Sequence, residues 1–376
     1  MFWKWSYQNM DTKYDIVKKG LRNDIISGKF AIGEKLPTEA NLTEQYNVSR
    51  YTVRRATAGL EQENYLYRIQ GDGMYVNDWK KVPAAKTENK VIGVITTHLA
   101  DYIFPEIISG IDQIVSDAGY ALFISNTHNT FDRERRSLLR IIETGISGLI
   151  IEPTMSALPN PNKDLYDQIK QLNIPTVFIN SKYESLDFNY LGVNDIDSEA
   201  QLVRHLIAQG HKRILGVFKV DDIQGAHRMQ GFYKAFQTQP DYALDSNIIM
   251  YQSDDEENNT LILNKIESYL ESPHRPTALA LYNDSLAIQA IDLVKSLGFR
   301  IPEDIAIVGF DDYGLSTYMT PSLTTNRHPK RKMGRDAAQI LLDLIDGQPG
   351  HDVIYEPDMI VRNSTATPLF ADETQE

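Results

Sequence analysis

Two sets of residues in this 376-residue chain have the types and spacing to bind something. Arg50 and Arg54 stand four apart, with Tyr51 and Thr52 beside them, so on a helix both guanidinium groups share one face. Arginine suits bidentate contact to guanine, and arginine and threonine both hold phosphate. The plain alternative is a solvated basic helix end, because such residues are ordinary on surfaces. The second set is scattered: Tyr102, Phe104, Glu152, Asn180, His227, Arg228, Asn283 and Asp311. Carboxylates, amides and an arginine are good partners for vicinal hydroxyls, and aromatic rings offer a wall for the C–H face of a sugar. Taken singly, each is as well explained as a residue that merely caps a helix.

Catalysis finds less support. There is no cysteine, which excludes disulfides, thiolate nucleophiles and cysteine zinc sites and fits a reducing cytoplasm. No G-x-G-x-x-G, G-x-S-x-G, Walker A or H-E-x-x-H stretch occurs, and the eight histidines show no ligand spacing. The expectation is a protein that is not an enzyme and carries no cofactor and no metal. No apolar run reaches membrane-spanning length, and Met1–Tyr7 lacks the apolar stretch of a secretory leader.

The elements that must position these residues divide the chain in two. The net charge of −13 speaks at first against a nucleic-acid partner. Residues 1–90, however, hold 15 basic and 11 acidic residues, a net +4, leaving 23 against 40, or −17, for the rest. Between the parts, residues 79–90 are polar and small and read as a linker. The expected division is 10–78, linker 79–90, and a body over 91–370.

In the head, Tyr14–Ser27 has a helical stripe of Tyr14, Val17, Leu21 and Ile25 that stops at Gly28. Thr38 is placed to cap a short second helix, and Asn47 to end it. Ser49 caps a third helix, Arg50–Glu63, with Val53, Ala56 and Leu60 inward. Two strand-like runs, Tyr65–Ile69 and Met74–Asn77, flank Gly71-Asp72-Gly73, residues suited to a tight turn. Two short helices in tandem and a hairpin describe a winged helix-turn-helix, whose recognition helix offers its N-terminal residues to the major groove.

The ordered anchors Leu36-Pro37-Thr38-Glu39, Tyr46-Asn47-Val48-Ser49-Arg50-Tyr51-Thr52-Val53-Arg54, Leu60 and Gly71-Asp72-Gly73-Met74-Tyr75-Val76 resemble the gluconate-repressor (GntR) type of winged helix. The resemblance implies that Arg50, Tyr51, Thr52 and Arg54 face operator DNA. It places Ser49 and Glu39 in support, with Gln70 and Gly71 at a wing tip over the minor groove. Many members carry arginine where Ala40 stands, so one DNA contact of theirs is missing here.

From Val91 onward strands and helices alternate: Val91–Thr97, Pro105–Ala118, Tyr120–Ser125, 133–144, Ser147–Ile151, Asp164–Asn173 and Pro175–Ile179. The alternation restarts after about Asp195, with helix 198–209 and the strands Arg213–Phe218, Thr277–Leu281 and Ile305–Gly309. This predicts an α/β body of two doubly wound, parallel-sheet lobes, with ligands at the carboxyl ends of strands, where the second set of residues falls. His211-Lys212-Arg213-Ile214, Arg228-Met229-Gln230-Gly231-Phe232, Asn283-Asp284, Ile301–Asp312 and Pro321-Ser322-Leu323-Thr324-Thr325 resemble the effector domain of lactose/galactose-type repressors, itself similar to periplasmic sugar-binding proteins. That resemblance implies that Arg228, Asn283 and Asp311 hold sugar hydroxyls and that Glu152 and Asn180 are contacts from the first lobe. Many members place aspartate where Asn180 stands.

The hybrid of such a head and body resembles the arabinose-responsive repressors of Gram-positive bacteria. It implies a cytoplasmic homodimer that binds double-stranded palindromic operator DNA, is released by L-arabinose, and has no membrane partner. Another pentose, a hexose or a nucleoside as effector remains compatible with the same residues. Heads of this type are also fused to pyridoxal-phosphate aminotransferase-like bodies, but the longer body and the Schiff-base lysine context are absent.

Overall fold

The computed structural model describes residues 12–62, 65–69, 71–78, 90–100, 102–256 and 259–365. Gln70, the opening residues and nearly all of the expected linker lie outside them. The chain forms two compact units, Met1–Glu88 and Asn89–Glu376.

In the first unit, α1 (Lys13–Ile26) starts at Thr12, whose hydroxyl and backbone pair reciprocally with Asp15 in a capping box. α2 (Glu39–Tyr46) is capped by Thr38 and stopped by Asn47 in the left-handed region, φ 48°. α3 (Arg50–Gln62) begins where the Ser49 hydroxyl accepts the Thr52 N–H at 3.2 Å. Val17, Leu21, Ile25, Val53, Ala56 and Leu60, read from the sequence as helical stripes, meet in one core with Leu42. β1 (Leu66–Ile69) and β2 (Gly73–Val76) form the hairpin, with Leu66 opposite Val76. The second strand begins one residue earlier than its apolar run, because Gly73 still pairs with Ile69.

The second unit opens with β3 (Val91–Thr96), α4 (Phe104–Asp117), β4 (Ala121–Asn126), α5 (Phe131–Thr144), β5 (Gly148–Ile151), α6 (Lys163–Gln171), β6 (Thr176–Ile179) and β7 (Asn189–Val193). There follow α7 (Asp195–Ala208), β8 (Ile214–Lys219), α8 (Ile223–Ala235), α9 (Pro240–Asp245), β9 (Asn247–Tyr251), α10 (Ser253–Glu256), α11 (Asn259–Leu270), β10 (Ala278–Leu281) and α12 (Asp284–Ser296). β11 (Ala306–Val308), β12 (Thr325–Asn326), α13 (Lys330–Ile345), β13 (Val353–Tyr355) and β14 (Met359–Ile360) complete it. α7 starts three residues ahead of the expected helix because the Asn194 side chain caps it at the Asp197 N–H.

Two parallel sheets define two lobes, ordered β13-β7-β6-β5-β3-β4 and β11-β10-β8-β9. A single restart near Asp195 is therefore too simple. The chain crosses once after β7, returns through α13 and β13 to the first lobe, and crosses again to pair β14 with β12. α13 packs on α4 through glycines: a Cβ at Gly110 would lie 2.3 Å from the Arg331 carbonyl oxygen, and one at Gly334 2.1 Å from that of Ile107. The returning helix is thus seated on the first lobe at backbone contact distance.

Candidate functional site

On the first unit, α3 turns its N-terminal residues outward. Tyr51 is 72% exposed, and the side chains of Arg50 and Arg54 are 71% and 65% exposed. Neither arginine is loose. Glu39, at the first position of α2, takes Arg54 Nη2 at 3.2 Å and Arg50 Nε at 3.4 Å, and Arg54 holds its carboxyl below the ordinary carboxylate range. The Ser49 and Thr52 hydroxyls lie 2.8 Å apart. The result is a solvent-facing pair of guanidinium groups, pre-aimed by a half-buried carboxylate. At the hairpin tip Gly71 has φ 83°, a conformation that costs glycine nothing. Lys35 Nζ braces the tip through Asp72 at 2.6 Å, and Tyr75 stacks on Tyr67 at 5.6 Å.

On the second unit, a cavity of about 320 Å³ opens between the lobes at the carboxyl ends of the strands. From the first lobe its wall takes Thr97, His98, Tyr102, Phe104, Glu152 and Asn180; from the second, Lys219, Asp222, Gln224, Arg228, Tyr282, Asn283 and Asp311. Seven of the eight residues expected there line it. His227 does not: it is half-buried one position before Arg228 on α8, and successive helical residues point about 100° apart.

The polar groups are organised as two linked networks. In the second lobe the buried Arg228 donates to Asp195 Oδ1 at 2.9 Å, Tyr282 O at 2.6 Å and Asp311 Oδ1 at 3.5 Å. Its guanidinium lies 3.6 Å from the Phe310 ring centroid. Burial pushes Asp195 upward and Arg228 pulls it back. Tyr102 reaches across the cleft to Asp311 Oδ2 at 2.6 Å. Asn283 spends Oδ1 on capping α12 at the Leu286 N–H, as the plain reading expected, yet it still lines the cavity. In the first lobe Glu152 accepts the Thr97 N–H at 3.0 Å and Asn180 Nδ2 at 2.8 Å, and Asn180 Oδ1 meets His328 Nε2 at 2.9 Å. Burial raises the Glu152 carboxyl to about 7.

Backbone strain gathers at the same place. Tyr102, Asn129, Met155, Asn180 and Asp311 all line the cavity and have φ of 58°, 51°, 42°, 63° and 97°. Asparagine and aspartate reach this region at little cost, but Tyr102 and Met155 hold it only where their surroundings over-determine them, as is common at ligand sites. Sequence reasoning missed Asp195, Lys219, Gln224, Tyr282 and His328. Lys219 and Tyr282 do fall at strand ends, a position that could have marked them. His328 carries no such mark, because its partner Asn180 is 148 residues away.

A winged head with an exposed arginine pair and a two-lobed body with a polar cleft define a DNA-binding regulator with a small-molecule effector domain. The comparisons agree. Residues 13–76 match the gntR family of bacterial regulatory proteins, and 203–365 match a periplasmic binding protein-like domain. An arabinose metabolism transcriptional repressor from Halalkalibacterium halodurans is 39% identical over 95% of this chain and 97% of its own. Its namesake from Geobacillus stearothermophilus is 40% identical over 94% and 97%. Among solved structures, the transcription regulator GntR from Chromobacterium violaceum superimposes with a TM-score of 0.65 at 26% identity, covering 73% of this chain and 99% of that one. The chain belongs to the family of arabinose metabolism transcriptional repressors and is a regulator, not an enzyme. Among the described residues no helix is long and apolar enough to cross a membrane.

Proposed function

We propose that the protein is a cytoplasmic homodimer that binds a palindromic operator and lets it go when L-arabinose fills the interlobe cleft. The observation that carries the reading is that the cleft aims fixed polar groups from both lobes at one small volume: Glu152 and Asn180 from one side, Arg228, Asn283 and Asp311 from the other. A cavity of about 320 Å³ suits a monosaccharide, and Tyr102 and Phe104 give its C–H face a wall. Arg50, Tyr51, Thr52 and Arg54 are assigned to the major groove, Ser49 and Glu39 to holding them, and Gly71 to the minor groove. Sugar and operator then oppose each other by linkage: a ligand that prefers one lobe arrangement lowers affinity for DNA bound to the other. The test is calorimetric titration of the full-length protein with a panel of pentoses and hexoses, beside operator gel shifts with the same sugars. L-arabinose should bind with the highest affinity and release the DNA. Tighter binding and release by another sugar would replace it as effector.

A further inference from the structure

Asn180 is held from a direction that no sugar contact explains. His328 lies between β12 and α13, on the crossing segment that returns the chain to the first lobe, and is 1% exposed. Its Nε2 sits 2.9 Å from Asn180 Oδ1 in the first lobe, and its backbone N–H points to the Asp311 carbonyl in the second at 3.4 Å. Next to it, Lys330 Nζ donates to the carbonyls of both Asp311 and Asp312 at 2.7 Å. One crossing segment therefore grips a cleft-lining residue from each wall.

We propose that His328 is a positioning residue that fixes the amide of Asn180, so that Asn180 meets the effector only as a hydrogen-bond donor. This rests on the reading of the cleft as the effector site. A carboxamide has one acceptor oxygen and two N–H groups. Asn180 turns Nδ2 to Glu152 Oε1, so its oxygen faces the imidazole, which must carry its proton on Nε2. The other ring nitrogen, Nδ1, is buried and no donor reaches it among the described residues. An imidazolium would leave an N–H stranded there; desolvation, aided by the charges of Lys330 and Arg228, outweighs the pull of the Asp311 carboxylate and holds His328 down to about 4. Glu152 is less decisive, because a carboxyl titrating at about 7 offers Asn180 either a lone pair or an O–H. The neutral histidine, with one N–H aimed at the amide, sets its orientation. One Nδ2 hydrogen remains for the cavity, and the effector group that meets it must accept: a ring oxygen or a hydroxyl lone pair. An aspartate at this position would reverse that polarity.

The test is calorimetric titration of the full-length protein with L-arabinose. His328→Ala should weaken binding about tenfold, and His328→Gln, which keeps a side-chain N–H, should recover most of it. In an Asn180→Ala background, His328→Ala should change little further, since the histidine acts through that amide. Unchanged affinity in His328→Ala, or its full effect persisting without Asn180, overturns the inference. A second measurement needs no variant: in the ¹⁵N-histidine spectrum of the wild-type protein, His328 should show the Nε2–H tautomer, and an Nδ1–H tautomer overturns the inference. If the wild-type protein binds no L-arabinose, the effector assignment fails, and the tautomer alone then decides the role of His328.

Discussion

The guanidinium of Arg228 is fixed on three sides by Asp195, the Tyr282 carbonyl and Asp311, with Phe310 against its face. Such a group is placed before any ligand arrives, which lowers the ordering cost of binding. The same arrangement ties it to stability, because its removal strands the carboxyl groups of Asp195 and Asp311 in the interior. Arg228→Ala should destabilise the chain by about 3–5 kcal/mol in urea unfolding, and it should abolish the sugar response. Arg228→Lys keeps the charge but loses the planar fork, so it should cost less stability yet remain blind to sugar. A loss below about 1 kcal/mol for the alanine variant would mean that the site relaxes without the arginine. Glu152, Asn180, Asn283 and Asp311 were legible in the sequence because the fold class places ligands at strand ends, a rule that would also have marked Lys219 and Tyr282 had it been applied to every strand. His227 shows the limit of that rule: strand-end proximity does not say which way a helical residue points.

At the level of elements, α3 and its supports were readable, since capping residues and a four-residue arginine spacing are local patterns. Arg54→Ala should cost roughly 1–3 kcal/mol of operator affinity in a gel-shift titration and leave sugar affinity unchanged. Specific binding within about twofold of the wild type would remove Arg54 from the base readers. The return of the chain to the first lobe was not legible. β13 is a three-residue edge strand whose parallel partner β7 lies some 160 residues earlier, and no period or turn announces such a pairing. Nor could the sequence disclose the short segments that join the lobes across the cleft. The Ser156 hydroxyl accepts the Ile223 N–H at 3.0 Å and meets Asp222 at 3.3 Å; Asn129 Nδ2 donates to Ser253 at 2.7 Å while its oxygen accepts the Met155 N–H at 3.0 Å. These bonds form without a ligand; under the proposed linkage they would favour the closed lobes that the sugar prefers. Ser156→Ala should raise the sugar concentration for half-maximal operator release by about three- to tenfold, the worth of one net hydrogen bond. An unchanged midpoint would show that these bonds do not weigh on the lobe equilibrium.

Across the whole molecule, charge works against the folded state as pH rises. The formal net charge is −13, and several carboxyls are buried without a cationic hydrogen-bond partner. Burial raises Glu152 and Asp284 to about 7 and Glu199 to about 8; neither Glu199 oxygen has a partner among the described residues. The folded chain therefore keeps protons that the unfolded chain, titrating near its ordinary values, has already released. Stability contributed this way is present below about pH 4.5 and is lost as pH climbs through 7–8. His328 acts oppositely, since its folded value near 4 lies below the usual 6.5, but it costs stability only as pH falls below that usual value. Exposed pairs such as Arg300–Asp304, whose aspartate is held down to about 2, lose their contribution only in stronger acid. Three raised carboxyls outweigh one depressed histidine, so stability should already fall as pH rises from about 4.5 toward 7 and keep falling to about 8. Each net proton retained is worth about 1.4 kcal/mol per pH unit, so unfolding free energy should drop by roughly 1–3 kcal/mol between pH 6.5 and 8.5. Glu199→Gln, which removes the most displaced of these carboxyls, should flatten that slope. Stability that holds level or rises toward pH 8.5 would mean that these side chains are ionised and solvated in the folded protein.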